Sequence, residues 1–261
     1  WNKKLFVYKD IMEKQYLYSF DRFADNDKVF TIENGNKLWK GDLFKIDESY
    51  FLCLGSDISW QGKYKTIFKS EISNLNLVKK NFISTKALEV VNFLVYQYYS
   101  VYRKIIPLFL DTDVEKMLKY DIYKPKTSKY QKILFNSEIY NIEILPEKKN
   151  WQQLVVFPDL WTMENLLDTG KFKNVEMLIS SNTQVKKDKI YWQIKNGYID
   201  TLFCTYSQIF QNWKNLKNII LIDSHKRYYK NQQEPRYYVP TVLAEIAKIY
   251  SADFQKFGYE L

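Results

Sequence analysis

The first 80 residues alternate between short runs of aromatic and β-branched residues and short polar segments. Runs of this kind, bounded by turn-forming residues, are typical of β-strands. Asn34-Gly35-Asn36 and Gly41-Asp42 supply the turn residues. The strands predicted in this way cover residues 5–9, 16–20, 28–33 and 42–57. Short strands at this spacing predict a small, β-barrel-like N-terminal domain.

A helical pattern starts at Ser84-Thr85, and either residue can act as the N-cap. Apolar residues then recur at helical spacing over residues 88–101, and they predict one helix that ends near Pro107. The following segment, 111–130, is polar and basic. It predicts a short helix and then an interdomain linker.

The chain from residue 131 onward alternates between apolar runs and helical patterns. Strands that alternate with helices are typical of a parallel sheet with helices on both of its faces. The predicted strands are 133–135, 154–157, 175–180, 201–205 and 218–223, and the predicted helices are 138–147, 163–167, 186–195 and 240–251. The fold class is therefore α/β with an N-terminal β-rich domain. The predicted divisions are a domain at 1–110, a linker at 111–130 and an α/β lobe at 131–261.

Composition narrows the class of protein further. Hydrophobic residues make up 46% of the 261 residues and charged residues 26%, which is typical of a globular chain. The sequence lacks an apolar run long enough to predict a membrane span. Two cysteines, Cys53 and Cys204, and one histidine, His225, cannot supply a zinc site or a disulfide framework. These features favour a reduced, cytoplasmic protein.

The net charge of +9, from 39 Lys and Arg against 30 Asp and Glu, indicates a polyanionic partner such as nucleic acid or an anionic membrane. An alternative stays open, because an AT-rich genome produces a chain rich in Lys, Asn, Ile and Tyr without any such partner. Charge alone therefore does not choose between these two explanations.

The apolar strand 219–223 ends in Asp223, which is the generic form of the metal-holding strand in nucleotide hydrolases. Residues 228–237 follow it and read Tyr-Tyr-Lys-Asn-Gln-Gln-Glu-Pro-Arg-Tyr. This string resembles the primosomal protein N′ (PriA) family of replication-restart helicases. In that family an Asp-Glu-Glu-His strand end precedes Ser-Tyr-Lys-Gln-Gln-Glu, two further residues and Arg-Tyr. This chain inserts Asn231 and lacks one residue before Arg236.

Three further segments are similar to the same family in the same order. Residues 154–162 are similar to its Val-Pro-Glu-Ile-x-Leu-Thr segment, and residues 177–181 to its Val-Leu-His-Ser-Gly. Residues 203–210 are similar to its Ile-Gly-Thr-Arg-Ser-Ala-Leu-Phe. The resemblance spans most of the chain and is specific from 154 to 237. It implies that the lobe at 131–261 is RecA-like, the first lobe of a helicase.

The resemblance also implies which residues contact DNA. In the N-terminal half, Tyr16 and Tyr18 stand where the family has Phe-Asp-Tyr, Asp47 near its Pro-Phe-Gly turn, and Lys65 in its Leu-Lys-x-Val. Lys230 and Arg236 stand in a loop that lies close to DNA in the family. The alternatives are a half-buried strand for the tyrosines, a solvated strand face for the lysine, and an ion pair of Arg236 with Glu234 or Asp223. The candidate DNA-binding residues are therefore Tyr16, Tyr18, Asp47, Lys65, Lys230 and Arg236.

The ATP site of the family is degenerate in this sequence. The string Gly-x-x-x-x-Gly-Lys-Ser/Thr, whose backbone amides and Lys hold the phosphates, is absent from all 261 residues. We place the remnant of this loop at Asn136-Ser137, between the strand 133–135 and the helix 138–147. Ser224 replaces the Glu that orients the attacking water and has no basicity for that role, while Asp223 remains as a remnant of the magnesium site. We expect no catalytic residue and no cofactor: ATP and magnesium binding are in doubt, and no zinc site is expected.

The function predicted from these features is DNA binding in replication restart by a PriA-like protein with a lost or impaired ATP site. The predicted partners are forked or 3′-ended DNA, with primosome or single-strand-binding proteins as candidates and no membrane. One alternative is an active ATP-dependent 3′-5′ helicase completed by missing segments. The other is a protein-interaction scaffold that does not bind DNA. Because the chain begins at Trp1 and lacks the family's second lobe and zinc region, we expect it to be a fragment.

Overall fold

Six strands near the amino terminus pair into one sheet in the computed structural model of this chain. The structure describes residues 14–21, 29–33, 38–56, 65–67, 75–111, 113–122, 133–136, 141–144, 151–168 and 175–257. The strands are β1 (Lys14–Ser19), β2 (Val29–Glu33), β3 (Leu43–Ile46), β4 (Ser49–Gly55), β5 (Lys65–Ile67) and β6 (Leu75–Lys79). Their order is β5-β2-β1-β4-β3-β6, and every neighbouring pair is antiparallel except β2 with β5.

The strands predicted at 16–20 and 28–33 are confirmed as β1 and β2. The turn predicted at Gly41 is confirmed too, and this glycine adopts a φ of 92°, which is readily available only without a side chain. The predicted strand 5–9 and the predicted turn 34–36 lie outside the described residues.

The predicted strand 42–57 is a β-hairpin in the structure. Ile46 and Ser49 pair directly, so Asp47 and Glu48 form a two-residue turn between β3 and β4. Asp47 adopts a φ of 50°, the left-handed conformation that such tight hairpins require and that Asp tolerates. The centre of this segment has no Gly or Pro, and apolar residues lie on both sides of Asp47 and Glu48, which explains why the sequence predicted one strand.

Apolar side chains on one face of the sheet form a core cluster: Leu17, Leu38, Phe44, Ile46, Phe51 and Cys53. Tyr18 is only 1% exposed, and its ring packs edge-to-face on Phe20 at 5.2 Å between ring centroids. Burial raises the pKa of the Cys53 thiol to about 11. The alternation of residues on β1 therefore buries side chains on both faces of this strand.

Contacts within the chain divide it into two units, Trp1–Ile83 and Ser84–Leu261. Helix α1 (Thr85–Gln97) thus belongs to the second unit, although the sequence analysis placed it at the end of the first domain. Its N-cap is Ser84, whose hydroxyl accepts a hydrogen bond from the backbone N–H of Ala87 at 3.2 Å.

Helix α1 is shorter than the sequence predicted, because it ends at Gln97 rather than near Pro107. Tyr99 adopts a φ of 48°, and a left-handed residue of this kind terminates a helix. Helix α2 (Tyr102–Ile105), a 3-10 helix at Ile106–Leu108 and helix α3 (Val114–Leu118) follow. The short helix predicted within 111–130 is confirmed as α3.

Strands β7 (Ile133–Asn136) and β8 (Asn141–Ile144) form a separate antiparallel pair. The helix predicted at 138–147 is therefore wrong over 141–144, where Asn-Ile-Glu-Ile alternates with the period of a strand. Our placement of the phosphate-loop remnant at Asn136-Ser137 fails with it, because such a loop joins a strand to a helix. The absence of the phosphate-loop string from the sequence is unaffected.

The parallel sheet predicted for the second unit is confirmed, and its five strands have the order β10-β11-β9-β12-β13. The predicted strand 133–135 is not part of it but is β7 of the antiparallel pair, and β13 was not predicted. Its elements are β9 (Gln152–Phe157), α4 (Leu160–Asp168), β10 (Val175–Leu178), α5 (Gln184–Asn196), β11 (Thr201–Thr205), β12 (Leu216–Leu221), α6 (Val239–Tyr250) and β13 (Asp253–Lys256). Within the described residues, none of the helices combines the length and the apolar character needed to cross a membrane.

The direction of the crossovers explains the layers of this unit. The chain moves one way across the sheet from β9 through α4 to β10, and the other way through α5 and through α6. Since such crossovers are right-handed, opposite directions place α4 on one face and α5 and α6 on the other. Met163 of α4 packs with Val155, Phe157, Phe203 and Ile220 in a fully buried cluster. Helix α1 packs on α6.

Candidate nucleic-acid interface

The carboxyl end of β12 leads directly into the segment that carries the family resemblance. Asp223 is buried and adopts a φ of 48°, and the N–H of Lys226 donates to its carbonyl at 2.9 Å to close a tight turn. The N–H of Ser224 donates to the carbonyl of Phe257, just past β13, at 2.9 Å. The carboxyl ends of β12 and β13 therefore hold the start of the loop, at the edge of the sheet where ligands of α/β proteins bind.

Tyr229 attaches the loop to the sheet. Its buried hydroxyl group donates to the carbonyl of Ile222, and it lies 3.3 Å from the carbonyl of Val156 at the end of β9. A buried phenol needs such partners, and these two belong to neighbouring strands. The ring consequently holds the loop across the ends of β9 and β12.

The second half of the loop is closed by its own hydrogen bonds. Lys230 and Tyr238 form an isolated antiparallel bridge, and the N–H of Asn231 donates to the carbonyl of Tyr237 at 2.9 Å. The side-chain amide of Asn231 donates to the carbonyl of Pro235 at 2.9 Å, and the peptide bond before this proline is cis. Asn231, the residue inserted relative to the family, therefore stabilises the second half of the loop through these two hydrogen bonds.

The loop 224–236, which we name the basic loop, exposes more positively than negatively charged side chains. Its cations are Lys226, Arg227, Lys230 and Arg236, all exposed, and its one carboxylate is Glu234. Tyr228, at 61% exposure, lies among them. An exposed basic segment with an aromatic residue is typical of a surface that binds nucleic acid.

The two predicted residues in this segment, Lys230 and Arg236, are both exposed, as a DNA contact requires. Of the two alternative ion pairs for Arg236, with Glu234 or with Asp223, the structure does not form the first, because the Glu234 carboxylate pairs with Lys104. A hydrogen bond from Lys104, together with the charges of Lys104 and Arg236, lowers the pKa of Glu234. Arg236 lowers the pKa of Glu234 only through its charge.

The predicted DNA-contact residues of the first unit are not all exposed. Tyr18 belongs to the core, so its ring has no face available to a base, and we correct its assignment as a stacking residue. Tyr16 is half-buried on β1 and Asp47 is exposed at the hairpin turn. Lys65 opens β5, where its backbone pairs with Phe30, and its side chain lies outside the description. Tyr16, Asp47 and Lys65 remain predictions.

The residues that the resemblance assigns to a degenerate ATP site lie at the ends of β11 and β12. Ser224, which stands in place of the family's Glu, lies directly after Asp223. Tyr206, which stands where the family's Thr-Arg-Ser segment has its Arg, opens a 3-10 helix after β11. In the part of the chain that the structure describes, there is no cluster of three or more His, Cys, Asp or Glu side chains able to hold a metal ion. A hydroxyl and a phenol supply no general base at neutral pH.

A cavity of about 160 Å³ lies at the carboxyl ends of β10 and β11. The carboxylate of Asp188, from α5, lines it and accepts a hydrogen bond from the side-chain amide of Gln184 at 2.9 Å. Burial raises the pKa of Asp188 to about 6; the hydrogen bond from Gln184 opposes this shift, and the charges of Asp111 and Asp113 add to it. The sequence did not single out this carboxylate, because its burial depends on the packing of α3 and the preceding segment against α5.

This pKa predicts that Asp188 makes the protein less stable as pH rises. Between the ordinary Asp pKa of 3.8 and about 6, the folded state holds a proton that the unfolded state has released. The stability that this proton confers is present below the lower value and lost above the higher one. We expect Asp188→Asn to gain about 1–3 kcal/mol in unfolding free energy over the wild type between pH 4 and pH 7.5.

Urea unfolding across this pH range measures the difference between the two proteins. Glu164→Gln, an exposed carboxylate on α4, is the matched control and should show a difference that changes little with pH. A constant difference between Asp188→Asn and the wild type would show that Asp188 ionises at its ordinary pKa.

The sequence analysis also missed the groove formed by residues 98–104 and 234–236, which has a volume of about 420 Å³. Tyr99 and Lys104 line it together with Arg236. Only the left-handed turn at Tyr99 brings these residues to one place, and the helical pattern that continues to Val101 conceals that turn. No protein-family model matches the sequence, and no curated protein is significantly similar to it.

Proposed function

We propose that this protein binds forked or 3′-ended DNA in replication restart, as a PriA-like protein whose ATP site is lost or impaired. The observation that carries the proposal is the basic loop, which exposes four cations and one carboxylate at the carboxyl end of β12. Lys and Arg side chains that neutralise phosphates release condensed counterions, and this release supplies most of the affinity for DNA.

The basic loop is held in a defined conformation, which favours a binding surface over one that is merely solvated. Tyr229 attaches it to two strands, and Asn231 closes its second half. Ordered cations lose less conformational entropy on binding than mobile ones, so their contacts with phosphate are stronger. The segment that carries the resemblance to the family is thus also the segment that presents the charge.

The ATP side of the proposal rests on the sequence and on the ends of the strands. The phosphate-loop string is absent from the 261 residues, and Ser224 stands where a Glu would orient water. Asp223 remains at the end of the apolar strand, where it is buried and held in a turn. In this proposal the α/β unit is a RecA-like first lobe that binds DNA or docks primosome or single-strand-binding proteins without hydrolysing ATP.

The first unit has a part in the proposal as well. Its six-stranded sheet would hold DNA ends, as the resemblance implies, with Tyr16, Asp47 and Lys65 as its contact residues. Tyr18 is excluded, because it belongs to the core.

Fluorescence anisotropy with a forked DNA that has a free 3′ end tests the proposal. We expect a Kd in the micromolar range or tighter, log Kd that rises linearly with log salt, and no response to ATP with magnesium. A response to ATP would support the alternative of an active helicase. Absence of binding at low salt would contradict the proposal and favour a scaffold that does not bind DNA.

A further inference from the structure

The groove between residues 98–104 and 234–236, which we name the tyrosine groove, shares only residues 234–236 with the basic loop. It has a volume of about 420 Å³ and is open to solvent along the side of Tyr99. Both of its walls belong to the second unit, Ser84–Leu261. Its position, its aromatic residue and its charges all bear on what it can bind.

The side chain of Tyr99 is exposed to solvent rather than packed in a core. It is 97% exposed, the highest value among the large hydrophobic residues that are exposed in the described chain. Its φ of 48° costs free energy for a residue with a side chain, and such a conformation persists only where its surroundings determine it. Here the N–H of Ser100 donates to the carbonyl of Val95 at 3.1 Å, and the N–H of Tyr99 donates to Tyr96 at 3.4 Å.

The neighbouring Tyr98 anchors the same turn to the other wall. Its ring lies 6.5 Å from the ring of Tyr237 in an edge-to-face arrangement, and its hydroxyl group is hydrogen-bonded to the backbone of Tyr238. Burial of this hydroxyl raises the pKa of Tyr98. The turn that bears the exposed ring of Tyr99 is therefore held by backbone hydrogen bonds to α1 and by the contact of Tyr98 with Tyr237.

The charges of the tyrosine groove favour an anion. Lys104 and Arg236 line it together with Glu234, and the carboxylate of Glu234 is paired with Lys104. One positive charge remains uncompensated, and Arg236 is exposed to carry it. A guanidinium group beside a fully exposed aromatic ring matches the two chemical parts of a nucleotide, the phosphate and the base.

We infer that the tyrosine groove binds one unpaired nucleotide of single-stranded DNA, with its base stacked on Tyr99 and its phosphate at Arg236. The inference rests on the proposed function and names a site in the second unit. A duplex cannot use this site, because its bases already stack on each other and present no free face. An acidic peptide would use Arg236 but would gain nothing from the face of Tyr99.

Binding of a fluorescein-labelled dT10 oligonucleotide to the whole chain tests the role of Tyr99. Tyr99→Ala should weaken binding by about 5- to 100-fold, the effect of losing one stacked base, whereas Tyr99→Trp should bind within about twofold of the wild type. The matched control is Tyr96→Ala, since Tyr96 is exposed near the end of the same helix but does not line the groove.

The substitution Glu234→Gln is expected to strengthen the binding of dT10, the opposite of the effect of Tyr99→Ala. It releases Lys104 from its ion pair and removes a negative charge from the groove, so dT10 should bind several-fold more tightly, with a salt slope steeper by about 0.7. Arg236→Gln should make the slope shallower by a similar amount. Because neither side chain is buried, both variants should fold as the wild type does.

A photocrosslink provides an independent measurement. The oligonucleotide with one 5-iododeoxyuridine should crosslink to the peptide that carries Tyr99, and the yield should fall in Tyr99→Ala. If the wild type binds dT10 and neither Tyr99→Ala nor Glu234→Gln changes this binding, the proposed nucleotide site in the groove is wrong. The proposed binding of forked DNA is then unaffected. A wild type that binds no DNA at low salt would overturn both proposals.

Discussion

Replacing Gln152 by Met is expected to lower the free energy of unfolding by about 3–5 kcal/mol. Gln152 is 1% exposed, and its amide N–H groups donate to the carbonyls of Ile194 at 2.8 Å and Ile199 at 2.9 Å. Its amide oxygen accepts from the backbone N–H groups of Lys214 at 2.9 Å and Asn215 at 2.8 Å. Met keeps the length of the side chain and removes all four hydrogen bonds.

The expected loss is smaller than the sum over four separate bonds. The carbonyl of Ile194 keeps a hydrogen bond from the N–H of Gly197 at 3.0 Å, so one of the four groups retains a partner. The carbonyl of Ile199 and the N–H groups of Lys214 and Asn215 lose their hydrogen bonds to Gln152 at the start of the central strand β9, where three segments of the unit meet. Removing one partner of a buried hydrogen bond costs about 1–3 kcal/mol.

Urea unfolding followed by tryptophan fluorescence measures this loss. Gln255→Met is the matched control, because Gln255 lies exposed on β13 in the same sheet, and its effect should stay within about 0.5 kcal/mol. Equal effects of the two substitutions would mean that the hydrogen bonds of Gln152 contribute no more than those of an exposed Gln.

Neutralising three cations of the basic loop is expected to weaken DNA binding at least about tenfold at low salt. The variant is Lys226→Gln, Arg227→Gln and Lys230→Gln together, and all three side chains are exposed. For forked DNA the slope of log Kd against log salt should fall by about 2–3, since each lost phosphate contact removes about 0.7–0.9. Tyr229, which attaches the loop to the sheet, is left intact.

A control variant separates local contacts from net charge. Lys116→Gln, Lys119→Gln and Lys248→Gln remove the same charge from exposed positions on and beside α3 and on α6. This control should lower the affinity much less and leave the slope nearly unchanged. If both triple variants behave alike, overall charge rather than the basic loop is what attracts DNA.

Four of the five strands of the parallel sheet could be predicted from the sequence, and β13 could not. The runs 154–157, 175–180 and 201–205 are apolar and bounded by polar residues, and the structure has a strand at each of them. Burial on both faces explains the runs of β9 and β11, because such strands read as continuous apolar runs, whereas β10 is an edge strand with a half-buried Glu176. The N-cap of the helix between β10 and β11 is Thr183, whose hydroxyl accepts a hydrogen bond from the backbone N–H of Lys186 at 3.4 Å; the sequence analysis did not identify this cap.

Two segments that the sequence predicted wrongly have different physical causes. At 141–144 a short alternating run was read as helix, and at 98–101 an apolar stripe continued past the true end of α1. Four residues supply too little periodicity to separate a strand from a helix. A left-handed conformation at Tyr99 leaves no trace in the sequence, because Tyr is not a residue that favours it.

Tyr16 and Tyr18 show the same limit for function. Both stand on β1 at equivalent positions of its alternation, yet Tyr18 is buried and Tyr16 is half-buried. Which of them packs against Phe20 depends on how the neighbouring strands cover β1. A positional resemblance to a family cannot supply that information.

The sequence by itself determined the α/β class, the apolar strand that ends at Asp223, the basic residues that follow it and the absence of a phosphate loop. These properties depend on residue type, on local order along the chain and on periodicity. Only the tertiary structure decided that Gln152 links three segments, that Asp188 is buried beside other carboxylates, and that Tyr99 and Arg236 meet in one groove. Each of these depends on contacts between residues far apart in the sequence, where no local pattern records the distance.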